Sequence, residues 1–227
     1  MINGMKIIAR IYTDLPDKFG VPRQAGLVKE LTGKIVFEKE YRVPEALNGI
    51  EEFSHLWLIW QFSENIREEF FPTVRPPRLN GNRRKGVFAT RSPFRPNPIG
   101  LSCVRLERIE RTASEGVVLW VSGIDMMNGT PIYDIKPYIT YTDSHPEAVS
   151  GFAENFVDYG LDVEISDELM SLIPTEKRQG LIGILRQDPR PSYQNDSEKI
   201  YGVRYMNFDV KFRVDGDKLI VTDIENM

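Results

Sequence analysis

The chain has 227 residues, 41% of them hydrophobic, enough for one medium domain plus a smaller one and too apolar for a wholly disordered chain. No run of about 18 apolar residues occurs, so no membrane span is expected, and the lone cysteine, Cys103, excludes an internal disulfide. The formal net charge is −4, yet no acid stands between Glu69 and Glu107, where Arg75, Arg78, Arg83, Arg84, Lys85, Arg91, Arg95 and Arg105 gather. One basic face on an otherwise acidic chain is the distribution by which a soluble protein meets a polyanion.

The N-terminal apolar residues Met5, Ile7 and Ile8 are broken by Lys6 and Arg10. They form no signal-peptide core, so a cytoplasmic location is expected. Residues 34–38 and 54–62 are rich in β-branched and aromatic side chains and read as strands. The second is almost continuously apolar, as in a strand buried on both faces or closing a barrel. Residues 44–47 and 64–71 read as minor elements, and 100–106 and 116–121 as further strands. Strands this frequent, without regular helices between them, predict a mainly β fold, a small barrel or sandwich rather than a doubly wound sheet.

The pattern changes near residue 145. Phe156, Leu161, Ile165, Leu169 and Leu172 lie among acids, and Leu181, Ile182, Ile184 and Leu185 follow. Asp188-Pro189-Arg190-Pro191 makes a rigid polar turn. Phe208, Val210, Phe212 and Val214 then alternate with polar residues, Asp215-Gly216 turns the chain, and Leu219 and Val221 return, which predicts a hairpin. The expected organisation is a β-rich domain over 1–145 and a smaller α+β domain over 146–227.

Six of the chain's 15 prolines fall within residues 72–100, so this basic segment is extended or turning and stiff. Arginines on a pre-ordered loop lose less entropy on binding than arginines on a flexible tail. Phe88 and Phe94 lie among the charges, and arginine beside aromatic rings is the pairing that stacks unpaired bases while holding phosphates. Familiar alternatives fail on spacing. Gly81 and Gly86 are not followed by Lys-Ser/Thr, so there is no P-loop, and neither Gly-x-Gly-x-x-Gly nor Gly-x-Ser-x-Gly occurs. With His55 and His145 the only histidines, a four-ligand zinc site is not expected, and no metal is assigned.

Residues 89–100, Ala-Thr-Arg-Ser-Pro-Phe-Arg-Pro-Asn-Pro-Ile-Gly, resemble the central motif of the TsaA-like family. Further matches are Val21-Pro22-Arg23-Gln24, Phe53-Ser54-His55-Leu56-Trp57, Arg75-Pro76-Pro77-Arg78, and Gly129-Thr130-Pro131 leading to Asp134-Ile135-Lys136-Pro137-Tyr138. The turn at 188–191, followed by Tyr193, resembles the family's bacterial C-terminal extension. Asn128 departs from the pattern, which has an aspartate before Gly-Thr.

This resemblance implies a β-barrel methyltransferase that uses S-adenosylmethionine (SAM), with a smaller C-terminal α+β domain. The implied substrate is tRNA carrying N6-threonylcarbamoyladenosine at position 37, methylated at N6, and the implied assembly is a homodimer with cofactor pockets near the subunit contact. Mapped onto this chain, Pro22, Arg23, Gln24, His55, Leu56, Arg91, Leu101, Ile124, Asp125, Met126 and Met127 would border the cofactor. Arg23 or Arg91 would hold its carboxylate. Asp134 or Tyr138 is the candidate base for the N6 proton; an Asp134–Lys136 ion pair is an equally weighted structural reading. Arg95 and Asn97 are assigned to the modified nucleotide, Arg75, Arg78, Arg83, Arg84 and Lys85 to phosphates, and Arg190 and Tyr193 to the anticodon loop. A non-catalytic RNA-binding module and a SAM-dependent enzyme for a small molecule are the competing readings.

Overall fold

The computed structural model describes residues 4–66, 69–76, 79, 83–190 and 196–227. Its first part is a closed antiparallel barrel, strand order β1-β2-β7-β6-β3-β8. The strands are β1 (Ala9–Thr13), β2 (Thr32–Phe37), β3 (His55–Gln61), β6 (Ile99–Thr112), β7 (Gly116–Ser122) and β8 (Thr130–Pro137), with a two-stranded ribbon, β4 (Thr73–Val74) and β5 (Lys85–Gly86), in the connection from β3 to β6. Period-two burial fixes which side chains enter the barrel. On β3 these are Leu56, Leu58 and Trp60, and on β6 Gly100, Ser102 and Val104. The barrel and the α+β remainder agree with the fold class read from the residues and their resemblance.

The chain leaves the barrel through α1 (Thr140–Asp143) and builds a second sheet, order β10-β11-β12-β9, from β9 (Asp162–Glu164), β10 (Tyr201–Tyr205), β11 (Phe208–Asp215) and β12 (Lys218–Asn226). β11 and β12 are the expected hairpin, turning at Gly216, whose φ of 57° lies in the left-handed region. β9 adds to β12 in parallel. The helices are α2 (Asp167–Ser171), capped by the Ser166 hydroxyl, and α3 (Arg178–Arg186), which buries Gly180, Leu181, Ile184 and Leu185.

Helix α3 also reaches the barrel. A Cβ placed on Gly183 would stand 2.3 Å from Val28 in the β1–β2 connection, so the helix backbone lies directly on that connection. Lys177 pairs with Asp14 at 2.5 Å, and the Met206 amide donates to the Asp14 carbonyl at 2.8 Å. The loop bearing Pro22, Arg23 and Gln24 is thereby clamped between barrel and second sheet, and the buried apolar side chains form one continuous core across both. Among the described residues no helix is long and apolar enough to cross a membrane.

Candidate active site

In an antiparallel barrel alternate connections emerge at the same end. The β1–β2 loop (14–31), the long β3–β6 excursion (62–98) and the β7–β8 crossing (123–129) therefore share one mouth. The crossing is stitched to its neighbours: Gly26 donates to the Gly123 carbonyl at 2.8 Å, and the Asn128 and Gly129 amides donate to Leu15 and Ile11. Asn128 Oδ1 accepts the Thr13 amide at 3.1 Å, a contact an aspartate would make equally, which accounts for the departure at this position.

Asp125 is the centre of the mouth. Its carboxylate accepts the Ser102 hydroxyl at 2.6 Å, and Ser102 Oγ in turn accepts the Trp60 indole N–H at 2.9 Å. Burial pushes the Asp125 carboxyl up to about 6, against the hydrogen bonds from Ser102 and the backbone and the field of Arg91. Arg91 donates to the Gln24 side-chain oxygen, and the Gln24 amide donates to the Arg23 carbonyl. Arg23 donates to the Asp188 carbonyl at 3.5 Å. A guanidinium, an amide and a carboxylate from three separate loops thus form one connected polar rim.

The C-terminal turn supports this rim. Asp188, in the left-handed region at φ 54°, accepts Arg190 Nε at 2.9 Å and the Tyr159 hydroxyl at 2.7 Å. The Arg190 side chain is only 13% exposed and its guanidinium is engaged by Asp188, so the structure gives it a role in holding this turn. Arg190→Ala, which strands a buried carboxylate, is expected to lower unfolding stability by about 3 kcal/mol in denaturant titrations. An unchanged midpoint would contradict that structural role.

The remaining expected residues separate by location. The side chains of Leu56, Ile124 and Met126 are wholly buried in the core. Pro22 is buried, and the Met127 carbonyl accepts the Thr130 hydroxyl. His55 and Tyr138 lie on the outer wall of the barrel, away from the mouth; the Tyr138 ring packs against His55 at 6.2 Å and Trp57 at 5.8 Å. Leu101 is on the outer wall too, 58% exposed. Asp134 pairs with Lys136 at 3.1 Å and accepts the Ile135 amide. Arg95 donates to the Val87 and Thr90 carbonyls, and Asn97, Arg75, Arg83 and Arg84 are exposed, with Arg84 also donating to Thr73. Lys85 lies over the Phe152 ring. Arg78 and Tyr193 lie outside the described residues.

Sequence reasoning missed Ser102, Trp60 and Asp188. Ser102 carries a usable signal: in β6 it is the polar residue at an inward position between Gly100 and Val104.

The family description "tRNA-methyltransferase O N-terminal domain" matches residues 10–144, and "TrmO C-terminal domain" matches 158–227. The tRNA (adenine(37)-N6)-methyltransferase of Escherichia coli K12 is 40% identical over 215 residues, covering 91% of both chains. A Pseudomonas aeruginosa protein described as a putative S-adenosylmethionine-dependent methyltransferase is 38% identical over 228 residues, 97% of this chain and 96% of its own. A crystal structure of TrmO from Pseudomonas aeruginosa superposes with a TM-score of 0.77 at 32% identity, covering both chains completely.

Proposed function

The chain belongs to the TrmO family of tRNA methyltransferases, and from that premise we propose that it transfers a methyl group from SAM to N6 of the adenosine at position 37 of tRNA. We assign N6-threonylcarbamoyladenosine as the modified base, residues 1–145 as the catalytic unit and 146–227 as a second tRNA-contacting unit, working in the cytoplasm without a metal. The observation that carries this reading is the polar rim at the barrel mouth, set beside a basic stretch, residues 70–106, that carries no acid.

The donor set fits the methionyl end of SAM. A carboxylate and an ammonium on one small ligand call for a cation and an anion at one site, and the charge of Arg91 is felt at Asp125. Arg91 and Gln24 would hold the ligand carboxylate, and Asp125, ionised, its ammonium. When bound, SAM supplies an electrophilic methyl on a sulfonium. The protein's part is positioning: the loops are tied to one another and to the second sheet, so the acceptor nitrogen meets a fixed geometry. Arg95 and Asn97 are assigned to the threonylcarbamoyl group, and Asp134 or Tyr138 to the N6 proton. Asp134→Asn that abolishes turnover while leaving cofactor and RNA binding intact would support the base role; equal loss of both would remove it.

The placement of the expected cofactor residues supports a homodimer. Arg23, Gln24, Arg91 and Asp125 stand at the mouth, whereas His55, Tyr138 and the exposed Leu101 stand on the outer wall. A two-fold contact that seats the outer wall of one protomer against its partner's mouth completes a single pocket from both sets.

The direct test is transfer of labelled methyl from SAM to tRNA prepared with and without the threonylcarbamoyl group. Label in the modified tRNA alone supports the assignment. No label in either, with no heat of SAM binding, overturns it and leaves an RNA-binding module. The exposed cations give a separate expectation. Arg75→Ala and Arg83→Ala should weaken binding to all tRNAs alike, each flattening the log–log salt slope by about 0.7–0.9. A loss confined to one tRNA would show base reading instead.

A further inference from the structure

Phe88 is the most exposed large aromatic of the β3–β6 excursion, its side chain 74% open to solvent. The backbone beneath it is fixed. Val87, just before it, is buried and its amide donates to the Pro72 carbonyl at 2.9 Å. The Val87 carbonyl accepts the Thr90 amide at 3.2 Å and the Thr90 hydroxyl at 2.9 Å. Arg95 closes the turn, donating to the Thr90 carbonyl at 2.7 Å and the Val87 carbonyl at 3.3 Å. A ring presented outward by a tied turn loses little freedom when something stacks on it.

The surroundings say what that something is. The Phe70 ring, itself exposed, lies nearly parallel to Phe88, at 26° with centroids 6.3 Å apart. The Arg95 guanidinium carbon is 5.9 Å from the Phe88 centroid. Arg84, Lys85 and Arg91 flank Phe88 in sequence, and no acid occurs from residue 70 to residue 106, though Glu69 directly precedes Phe70. Parallel aromatic rings beside a guanidinium, on a segment rich in arginine and lysine, complement a planar, unpaired base on an anionic backbone. Three residues beyond Phe88, Arg91 contacts Gln24 at the barrel mouth, so the turn that carries the ring runs directly into the polar rim.

Resting on the methyltransferase reading, we propose that Phe88, backed by Phe70 and Arg95, is a stacking platform for an unpaired base flanking the target adenosine in the anticodon loop. It holds the loop open by stacking and reads no base edge.

The test uses the full chain and an anticodon stem-loop carrying 2-aminopurine beside the target adenosine. Wild type should quench the probe on binding. Phe88→Ala should restore its fluorescence and weaken stem-loop binding roughly 5- to 100-fold, the range of one base–aromatic stack, with SAM affinity and the salt slope unchanged. Phe88→Trp should recover both binding and quenching. Phe88→Ala binding within about twofold of wild type overturns the platform. Weakened binding accompanied by a halved particle mass overturns it as well, placing the ring in a contact between copies of the chain. Wild type that neither binds the stem-loop nor methylates tRNA overturns the functional reading itself, and the platform with it.

Discussion

Asp125→Asn is expected to melt higher than the parent at pH 8 and to transfer methyl roughly 30- to 100-fold more slowly, the cost of losing one charge-assisted contact to a bound ligand. The stability half follows from linkage. The Asp125 carboxyl titrates at about 6 in the folded chain against 3.8 for its ordinary value. A folded-state pKa raised in this way gives a contribution that is full below pH 3.8 and lost as pH rises through 6. At pH 8 the ligand-free protein therefore carries a withdrawn carboxylate that costs on the order of 2–3 kcal/mol. Asparagine removes the charge and keeps an oxygen to accept the Ser102 hydroxyl. Melting curves should separate by roughly 4–12 °C at pH 8 and converge below about pH 4. Activity should show the matching signature: the parent gains turnover as Asp125 ionises near pH 6, and the variant lacks that limb. A variant that melts no higher at pH 8, or keeps the parent's pH profile, would place Asp125 outside the ligand contact. Higher melting and the lost pH limb together would mark Asp125 as a group that opposes folding in favour of binding, as active-site groups commonly do.

How much of this site was legible depended on sequence distance. Arg23, Gln24 and Arg91 stand in contiguous motifs, and the structure brings them together. The contacts that hold them do not show in a linear reading. Arg23 meets the Asp188 carbonyl across 165 positions, and Asp125 meets Ser102 across 23. Arg190 shows a different limit: a guanidinium two residues from a carboxylate reads the same in sequence whether it faces water or closes a buried turn. His55 and Leu56 are adjacent in one motif, yet strand alternation sends the histidine to the outer wall and the leucine into the core.

The fold shows the same division. β3, β7 and the β11–β12 hairpin carry strong local patterns. β6 runs six residues past the expected 106 because its second half alternates charged side chains on exposed faces and is held only by pairing with β7. β1, short and interrupted by Arg10 between the buried Ala9 and Ile11, and β8, with Pro131, Asp134 and Lys136, lack a strong apolar pattern of their own. They are strands because the barrel must close, through the Arg10–Pro131 register and its neighbours. β9 has three residues in an acid-rich stretch and exists only as a parallel addition to β12.

Closure also leaves one position where the smallest side chain is required. Gly100 faces into the barrel opposite Trp60, and a Cβ there would stand 2.2 Å from Trp60 Cε2 and 2.5 Å from Cδ2 and Cζ2. The indole has nowhere to go: it is 4% exposed, packs against Phe62 at 4.3 Å and donates to Ser102. Gly100→Ala must either bend two paired strands or rotate the indole away from Ser102. The first is overpacking, at about 1–3 kcal/mol or more, and the second leaves a buried N–H unpaired at about 1–3 kcal/mol. Either route predicts a fall in melting temperature of roughly 2–12 °C. Because Ser102 also holds Asp125, SAM affinity should fall in the fraction that still folds. Gly86→Ala is the control, since a Cβ there meets nothing within 4 Å and its φ of −57° suits any residue. If Gly100→Ala melts within about 2 °C of the Gly86→Ala control, the Trp60–Ser102–Asp125 chain does not hold the mouth in place.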